Sequence, residues 1–174
     1  MGWLYRIRQF LGAVKAAPLT PEERERVRVT LDDAAFELYQ TMPTGDQRHS
    51  LKIYDALLRQ GCRARPLLQA ALLHDVAKRN VNLAYRMGVV VLNKISPNAL
   101  ACAASTSPKS WRHPFYISLH HPELSAELAA RAGVDERALA LIRAHQADAP
   151  RLKFEEARLL REWHRALQSL DDVN

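Results

Sequence analysis

The stretch AALLHDVAK, residues 70–78, places a histidine and an aspartate side by side in an otherwise apolar segment. The longer run RPLLQAALLHDVAK opens with Pro66 and is apolar nearly all round, which is the pattern of a fully buried helix. Burying an unpaired polar group is costly and burying a charge more so, and His74 and Asp75 therefore need a strong partner. A metal ion that both side chains bind at the end of this helix is one such partner.

The length and composition of the chain predict a single folded domain. Its 174 residues are enough for one sizeable core, and the 48% hydrophobic and 25% charged content is ordinary for a globular protein. Helix signals occur throughout and strand signals are nearly absent. We therefore predict an all-α bundle of about six to eight helices. Residues 1–40 are predicted to be an N-terminal helical extension, 41–174 the main domain, and 79–118 a helical basic insert or lid.

The cysteine content and the lengths of the apolar runs indicate in which cellular compartment the protein is expected. Cys62 and Cys102 fit neither a metal knuckle nor a disulfide scaffold, and we interpret both as free thiols in a reducing interior. The first residues are interrupted by Arg6, Arg8 and Lys15, which is unlike a secretory signal. No apolar run is long enough to span a membrane. We expect a cytoplasmic protein.

Capping and turn residues predict where the helices begin and end. Thr20, Pro21 and Glu23 form a capping box at a helix start. The other predicted starts are at Asp46, Pro66, Pro122 and Asp135, the predicted stops are at Gly61 and Gly133, and the last helix is predicted over residues 152–171.

Histidine and aspartate recur on helix faces that ought to be buried. Helical periodicity turns His49, His145 and Asp171 inward, in addition to the pair at 74–75, and selects Asp171 over its neighbour Asp172. His121 lies near the start of a further helix, with His120 as its alternative. His113 and His164 are interpreted as bystanders. A lone inward histidine is usually a hydrogen-bonded core residue, but here each one would need a separate partner.

This mixture of donors indicates a particular class of metal. Imidazole and carboxylate ligands suit divalent Mn, Fe, Co, Ni, Zn or Mg, and the set allows one or two ions. Such an ion lowers the pKa of a water toward about 7 and stabilises charge on an attacked phosphoryl group. The residues therefore favour metal-dependent hydrolysis.

The basic residues indicate an anionic partner. The net charge is +6, and no acidic residue occurs between Asp75 and Glu123. Lys78 follows His74 by about one helical turn and is predicted to contact a bound phosphate. The full set of predicted phosphate contacts is Lys78, Arg48, Arg79, Arg86 and Arg112. A merely solvated basic surface is the alternative. The expected partner is an anionic phosphorylated small molecule, and no specific nucleic acid is predicted.

His49, the pair His74 and Asp75, and Asp171 resemble the H...HD...D signature of the HD-domain superfamily, and the resemblance covers most of residues 40–174. It implies an all-helical core and metal-dependent phosphohydrolase activity on a phosphomonoester, nucleotide or phosphodiester. Asp75 and Lys78 are the expected catalytic residues.

The segments HPELSAELA and LIRAHQ are similar to the two extra histidine segments of dinuclear HD proteins such as the HD-GYP phosphodiesterases. The resemblance makes His121 and His145 candidate ligands of a second ion. The residues after HDVAK lack the GYP-type signature, and AHQ stands where those enzymes have two histidines and a glutamate, so cyclic dinucleotide hydrolysis is not implied. The segment from Arg79 to Ser118 resembles the insertion of a small bacterial group of HD proteins.

Two alternatives from other classes stay open. Some HD proteins use six such ligands to hold two irons and activate oxygen, and this chain has six. Alternatively, the domain is a regulatory or binding module that contacts anionic membranes or partners. In that case the contact is made by the basic insert or by the amphipathic N-terminal helix, whose apolar residues include Trp3, Leu4, Phe10 and Leu11.

Overall fold

The computed structural model describes residues 16–96, 98–146 and 157–171, which form helices joined by turns and include no strand. The all-α prediction is confirmed. The nine α-helices in these ranges are α1 (Pro21–Thr30), α2 (Asp33–Gln40), α3 (Thr44–Arg59), α4 (Arg65–Leu73), α5 (Leu83–Ile95), α6 (Ala99–Ala103), α7 (His113–Arg131), α8 (Glu136–Ala144) and α9 (Ala157–Asp171). A 3-10 helix, Val76–Asn80, follows α4.

Several predicted helix ends are confirmed. Thr20 and Glu23 form the reciprocal capping box at the start of α1. Gly61 and Gly133 follow α3 and α7 with φ angles of +83° and +75°, a conformation that glycine adopts at little cost. Asp135 caps α8 by accepting a hydrogen bond of 2.8 Å from the Arg137 amide.

Two predicted helix starts are wrong. Helix α3 begins at Thr44, and Asp46 lies in its first turn with its carboxylate bound by Arg86 rather than capping the helix. Helix α7 begins at His113, which leaves Pro122 in its interior. Helix α9 is described from Ala157, and the predicted start at 152 lies outside the described residues.

Helix α4 is the centre of the core. Its residues from Pro66 to Leu73 are all buried, as the apolar sequence predicts. It packs against α3 and α8 and also contacts α1 and α9. Helices α1 and α2 add Val27 and Tyr39 to this same core, so described residues on both sides of the predicted boundary at 40 share it. The boundary itself stays a prediction.

The predicted insert is helical. Helices α5 and α6 pack against α7, where the Phe115 ring meets Tyr85 with ring centroids 5.4 Å apart. Gly88 permits the approach of α5, because a Cβ atom there would lie 3.1 Å from the Phe115 ring. The last residues of the predicted insert belong to the first turns of α7. Whether the insert acts as a lid stays a prediction.

Among the described helices, none has both the length and the apolar character that crossing a membrane requires.

Candidate metal centre

The His74–Asp75 pair lies at a helix-to-turn junction rather than inside the helix. His74 is the C-cap of α4, and Asp75 is the residue before the 3-10 helix. This short helix packs on α7, where the Ala77 amide donates a 3.1 Å hydrogen bond to the buried Ser125 hydroxyl. The contact brings Asp75 next to the histidines of α7 and α8.

Asp171 joins two histidines on one side of the centre. Its Oδ1 atom lies 2.9 Å from His49 Nε2 and 3.4 Å from His74 Nε2. His74 Nε2 is also 3.9 Å from Asp75 Oδ2. Helices α3, α4 and α9 thus bring their polar residues to one point, as helical periodicity predicts.

Asp75 joins two further histidines on the other side. Its Oδ1 atom lies 3.3 Å from His121 Nε2 and 3.8 Å from His145 Nε2, and these two nitrogens are 3.2 Å apart. Donor atoms of His49, His74 and Asp75 form one group within 4.8 Å of one another, and those of Asp75, His121 and His145 form a second. Together with Asp171, which lies 2.9 Å from His49 and 3.4 Å from His74, these groups bring six side chains together, and Asp75 belongs to both groups. Their coordination of metal stays a prediction.

Backbone carbonyls orient three of the four imidazoles. The Nδ1 atoms of His74, His121 and His145 lie 3.0, 2.8 and 2.7 Å from the carbonyl oxygen three residues earlier in each case. A carbonyl only accepts, so each Nδ1 carries the proton and donates it. In the neutral rings of His121 and His145, Nε2 then presents its lone pair to the centre. His74 Nε2 lies at the same centre, but its lone pair becomes available only when the ring, whose pKa is raised, loses a proton. This is the arrangement by which protein groups orient metal-binding histidines.

These carbonyls are available because the helices leave them without an amide donor. Ala71 and Ile142 lie in the last turns of α4 and α8, where helical carbonyls lack intrahelical partners. Ser118 lies inside α7, but the residue four positions later is Pro122, which has no N–H. The His121 ring binds this carbonyl, which has no amide donor from position 122.

The centre contains buried polar atoms that the protein does not fully satisfy. His74 Nε2 and Asp75 Oδ1 are buried and make no well-aligned hydrogen bond with the described residues, and Asp75 Oδ1 has the Lys78 ammonium at 2.9 Å as an ion-pair partner. Because the protons of His121 and His145 are on Nδ1, the lone pairs of their Nε2 atoms face each other across 3.2 Å with no proton between them. A divalent cation would satisfy all these atoms, and four imidazoles with two carboxylates suit the metals predicted from the sequence. The residues present therefore fit a metal ion.

The electrostatics leave the two innermost histidines neutral. Burial lowers the pKa of His121 to about 3 and that of His145 to about 4, with the nearby cations Lys78 and His74 acting in the same direction. Burial alone would also lower the pKa of His74, but the Asp75 and Asp171 carboxylates outweigh it and raise this pKa to about 9.

Both carboxylates are ionised. Burial would raise the pKa of Asp75, but Lys78 and His74 hold it well below its usual range. For Asp171, the proximity of His74 and the hydrogen bond to His49 likewise outweigh burial and hold the pKa far below the ordinary value.

Lys78 is the predicted cation that reaches the centre. From the 3-10 helix its Nζ atom lies 2.9 Å from Asp75 Oδ1 and 3.0 Å from Oδ2. The side chain keeps 20% of its surface exposed. Lys78 is therefore a partly exposed cation in direct contact with a residue of the centre.

Three other predicted phosphate contacts have guanidinium groups that protein partners occupy, and their contact with phosphate stays a prediction. Arg48 binds Glu23 Oε1 at 2.6 Å and the Ala17 and Pro18 carbonyls. Arg86 pairs with both Asp46 oxygens and with the Lys78 carbonyl.

Arg112 completes this group by donating to the carbonyls of residues 102, 103 and 104. Arg79 is half-buried with one nitrogen unpartnered among the described residues, and no contact joins it to the centre. Its phosphate role stays a prediction.

The remaining histidines divide into exposed and structural residues. His120 is exposed with its ring on Tyr116, and of this pair it is His121 that lies beside Asp75. His113 binds the Ser105 carbonyl. His164 belongs to neither group of metal-binding candidates, and its buried Nε2 donates a 2.6 Å hydrogen bond to the Ala144 carbonyl, next to His145. Its position on the inward stripe with Asp171 was the available signal.

Comparisons of this chain with protein-family models, curated proteins and solved structures found no match.

Proposed function

We propose that this chain is a metal-dependent phosphohydrolase of the HD-domain type, acting on a phosphomonoester, nucleotide or phosphodiester. The observation that carries the proposal is the convergence of four histidines and two aspartates in two groups that share Asp75. Backbone carbonyls orient three of these histidines so that Nε2 faces the centre, and His74 Nε2 is buried there without a hydrogen-bond partner among the described residues.

The proposed ligands divide into two sets. His49, His74 and Asp171 would hold one ion, His121 and His145 the other, and Asp75 faces both sets. When bound, divalent ions supply positive charge for a phosphoryl group and make hydroxide available near neutral pH. The ionised carboxylates and neutral imidazoles needed for such binding are already favoured by the surroundings of Asp75, Asp171, His121 and His145.

The role of Lys78 follows from its position beside Asp75. Its ammonium group neutralises part of the carboxylate charge and carries three donors, which suits a phosphate oxygen. Lys78 would exchange its contact with Asp75 for a phosphate oxygen and hold the substrate against the centre. Its half-buried position strengthens such a contact relative to one in open water.

The test combines metal analysis with a phosphatase assay. The chelator-treated protein is reloaded with Mn, Co, Ni, Zn or Mg and assayed with p-nitrophenyl phosphate, bis-p-nitrophenyl phosphate and nucleotides. We expect hydrolysis to return with at least one metal. His121→Gln should lower activity by a factor of ten or more and reduce bound metal from two ions to one, as expected when a ligand is lost. His120→Gln, one residue away and exposed, is the matched control and should change neither.

A wild-type protein that binds no divalent ion, or one whose hydrolysis is indifferent to His121→Gln, would contradict the proposal. The same donor set also favours the second candidate, a di-iron oxygenase, because it provides six nitrogen and oxygen ligands. Activity that requires iron and consumes oxygen, with no hydrolysis under any other metal, would support that candidate instead.

A further inference from the structure

The insert exposes apolar surface that the proposed function does not use. Helix α5 has the sequence LAYRMGVVVLNKI, and none of its described side chains is fully buried. Val91 is 54% exposed. Water-exposed apolar surface of this kind is unfavourable unless something covers it, and contiguous patches commonly mark interaction sites.

Further exposed apolar side chains lie beside the contact between α5 and α7. That contact is made by Phe115 with Tyr85 and Gly88. Trp111 precedes Phe115 by one helical turn and meets its ring edge to face, yet is 70% exposed. Leu119, one turn after Phe115, is 41% exposed, and Val91 lies one turn after Gly88. These side chains therefore border the same helix crossing.

The charge of this region is positive. Residues 76–122 include no acidic residue, and Lys94 and Lys109 are exposed close to Val91 and Trp111 in the sequence. Arg86 of α5 and Arg112, the N-cap of α7, have protein partners in contrast, since Arg86 binds Asp46 and Arg112 binds backbone carbonyls. We define the insert face as Val91, Lys94, Lys109, Trp111 and Leu119.

We propose that the insert face docks on the surface of an anionic lipid bilayer. Trp111, Val91 and Leu119 would enter the headgroup region, which suits tryptophan because its ring is apolar and its N–H is polar. The lysines would remain at the level of the anionic headgroups, where each basic residue contributes about 1 kcal/mol. The complementarity is therefore both apolar and electrostatic.

The type of basic residue on the insert face favours a lipid bilayer over an acidic protein as its binding partner. Protein interfaces are enriched in arginine and depleted in lysine. The two exposed cations of the insert face are both lysines, while Arg86 and Arg112 bind groups of the protein itself. Lysines beside exposed tryptophan and aliphatic residues are typical of segments that lie on membrane surfaces.

The test measures binding of the full chain to sedimented vesicles of phosphatidylcholine alone or mixed with phosphatidylglycerol. We expect binding to the mixed vesicles only, with weakening by salt. Trp111→Ser and the double variant Lys94→Glu/Lys109→Glu should each reduce the partition coefficient by about tenfold. The matched controls are Val29→Ser, which changes a 72% exposed valine on α1, and Lys52→Glu on α3, and both should bind normally.

His74→Gln should also bind vesicles normally, because this interaction is independent of the metal centre. Absence of binding to anionic vesicles would overturn the proposal. So would vesicle binding that the insert-face variants leave unchanged, since another segment would then carry it. Binding of poly-glutamate in place of vesicles, abolished by the same variants, would assign the face to an acidic protein and overturn it equally.

Discussion

At the scale of single residues, the centre depends on how the imidazole rings are held. A histidine offers metal either nitrogen, and the group bound to the other nitrogen decides which one. Here a carbonyl three residues earlier binds Nδ1 in His74, His121 and His145. His49 differs, because its Nε2 lies 2.9 Å from Asp171. One local geometry therefore orients three rings that belong to three different helices.

His74 makes metal binding dependent on pH. Its pKa of about 9 in the metal-free protein means that it is protonated at pH 7, whereas a metal ligand must be neutral. Binding of Mn²⁺ at pH 7 should therefore release about one proton from His74, while His121 and His145, already neutral, release none. Apparent affinity should rise about tenfold per pH unit from about pH 7 to 8.5 and then level off.

Calorimetric titrations in buffers of different ionisation enthalpy measure this proton release directly. The control variant His120→Gln should release the same number of protons on Mn²⁺ binding as the wild type. Mn²⁺ binding with no proton exchange at pH 7 would show that His74 is neutral before the metal arrives.

At the scale of elements, Pro122 links the structure of α7 to the orientation of His121. An interior proline removes one helical hydrogen bond and costs about 3 kcal/mol relative to alanine. In α7 the carbonyl released in this way, that of Ser118, accepts from the His121 ring at 2.8 Å. The helix is weakened at the place where the centre needs a free carbonyl.

Pro122→Ala should change the stability of the protein and its metal affinity in opposite directions. The new amide would compete with the His121 ring for the Ser118 carbonyl, so we expect the metal-free protein to gain about 1–3 kcal/mol and the second ion to bind about tenfold more weakly. Urea unfolding and metal titration measure the two effects. Pro114→Ala, at the start of the same helix where proline is tolerated, is the control and should change both little. Unchanged affinity for the second ion in Pro122→Ala would show that the proline does not position His121.

Periodicity predicted the inward faces of the helices because a stripe of apolar residues is a local property of the sequence. It therefore selected His49, His145 and Asp171 correctly. Helix starts were harder to predict, because the role of a capping residue depends on side chains that are distant in the sequence. Asp46 has the character of a cap, but Arg86, 40 residues later, takes both of its oxygens.

The same physical limit explains why the partners of the arginines could not be predicted from the sequence. Whether a guanidinium group faces a substrate or the protein depends on which carbonyls and carboxylates folding brings near it. Nothing local to Arg48 indicates that it binds the Ala17 and Pro18 carbonyls, 31 and 30 residues away. Lys78 was predictable because it follows His74 by about one helical turn, and in the structure it lies on the 3-10 helix that begins directly after Asp75.

At the scale of the whole molecule, the candidate centre joins segments from across the chain. Its six residues come from α3, α7 and α9, from the end of α4 and the junction that follows it, and from the C-cap of α8. His49 and Asp171 are separated by 122 positions in the sequence. Such a set exists only in the folded chain, and ions that bind it must therefore favour the native state over the unfolded one.

Saturating metal should raise the melting temperature. At an ion concentration 100 times the dissociation constant the native state gains about 2.7 kcal/mol, which for a domain of this size corresponds to a rise of roughly 5–10 °C. Thermal unfolding followed by circular dichroism, with Mn²⁺ or with chelator, measures the shift. His74→Gln should lose most of it, since this residue contacts both aspartates of the centre. His120→Gln should retain it, because His120 is exposed away from the six residues. An equal shift in His74→Gln and the wild type would mean that the stabilising ions bind elsewhere, and the six-residue centre would then lose its assignment as the metal site.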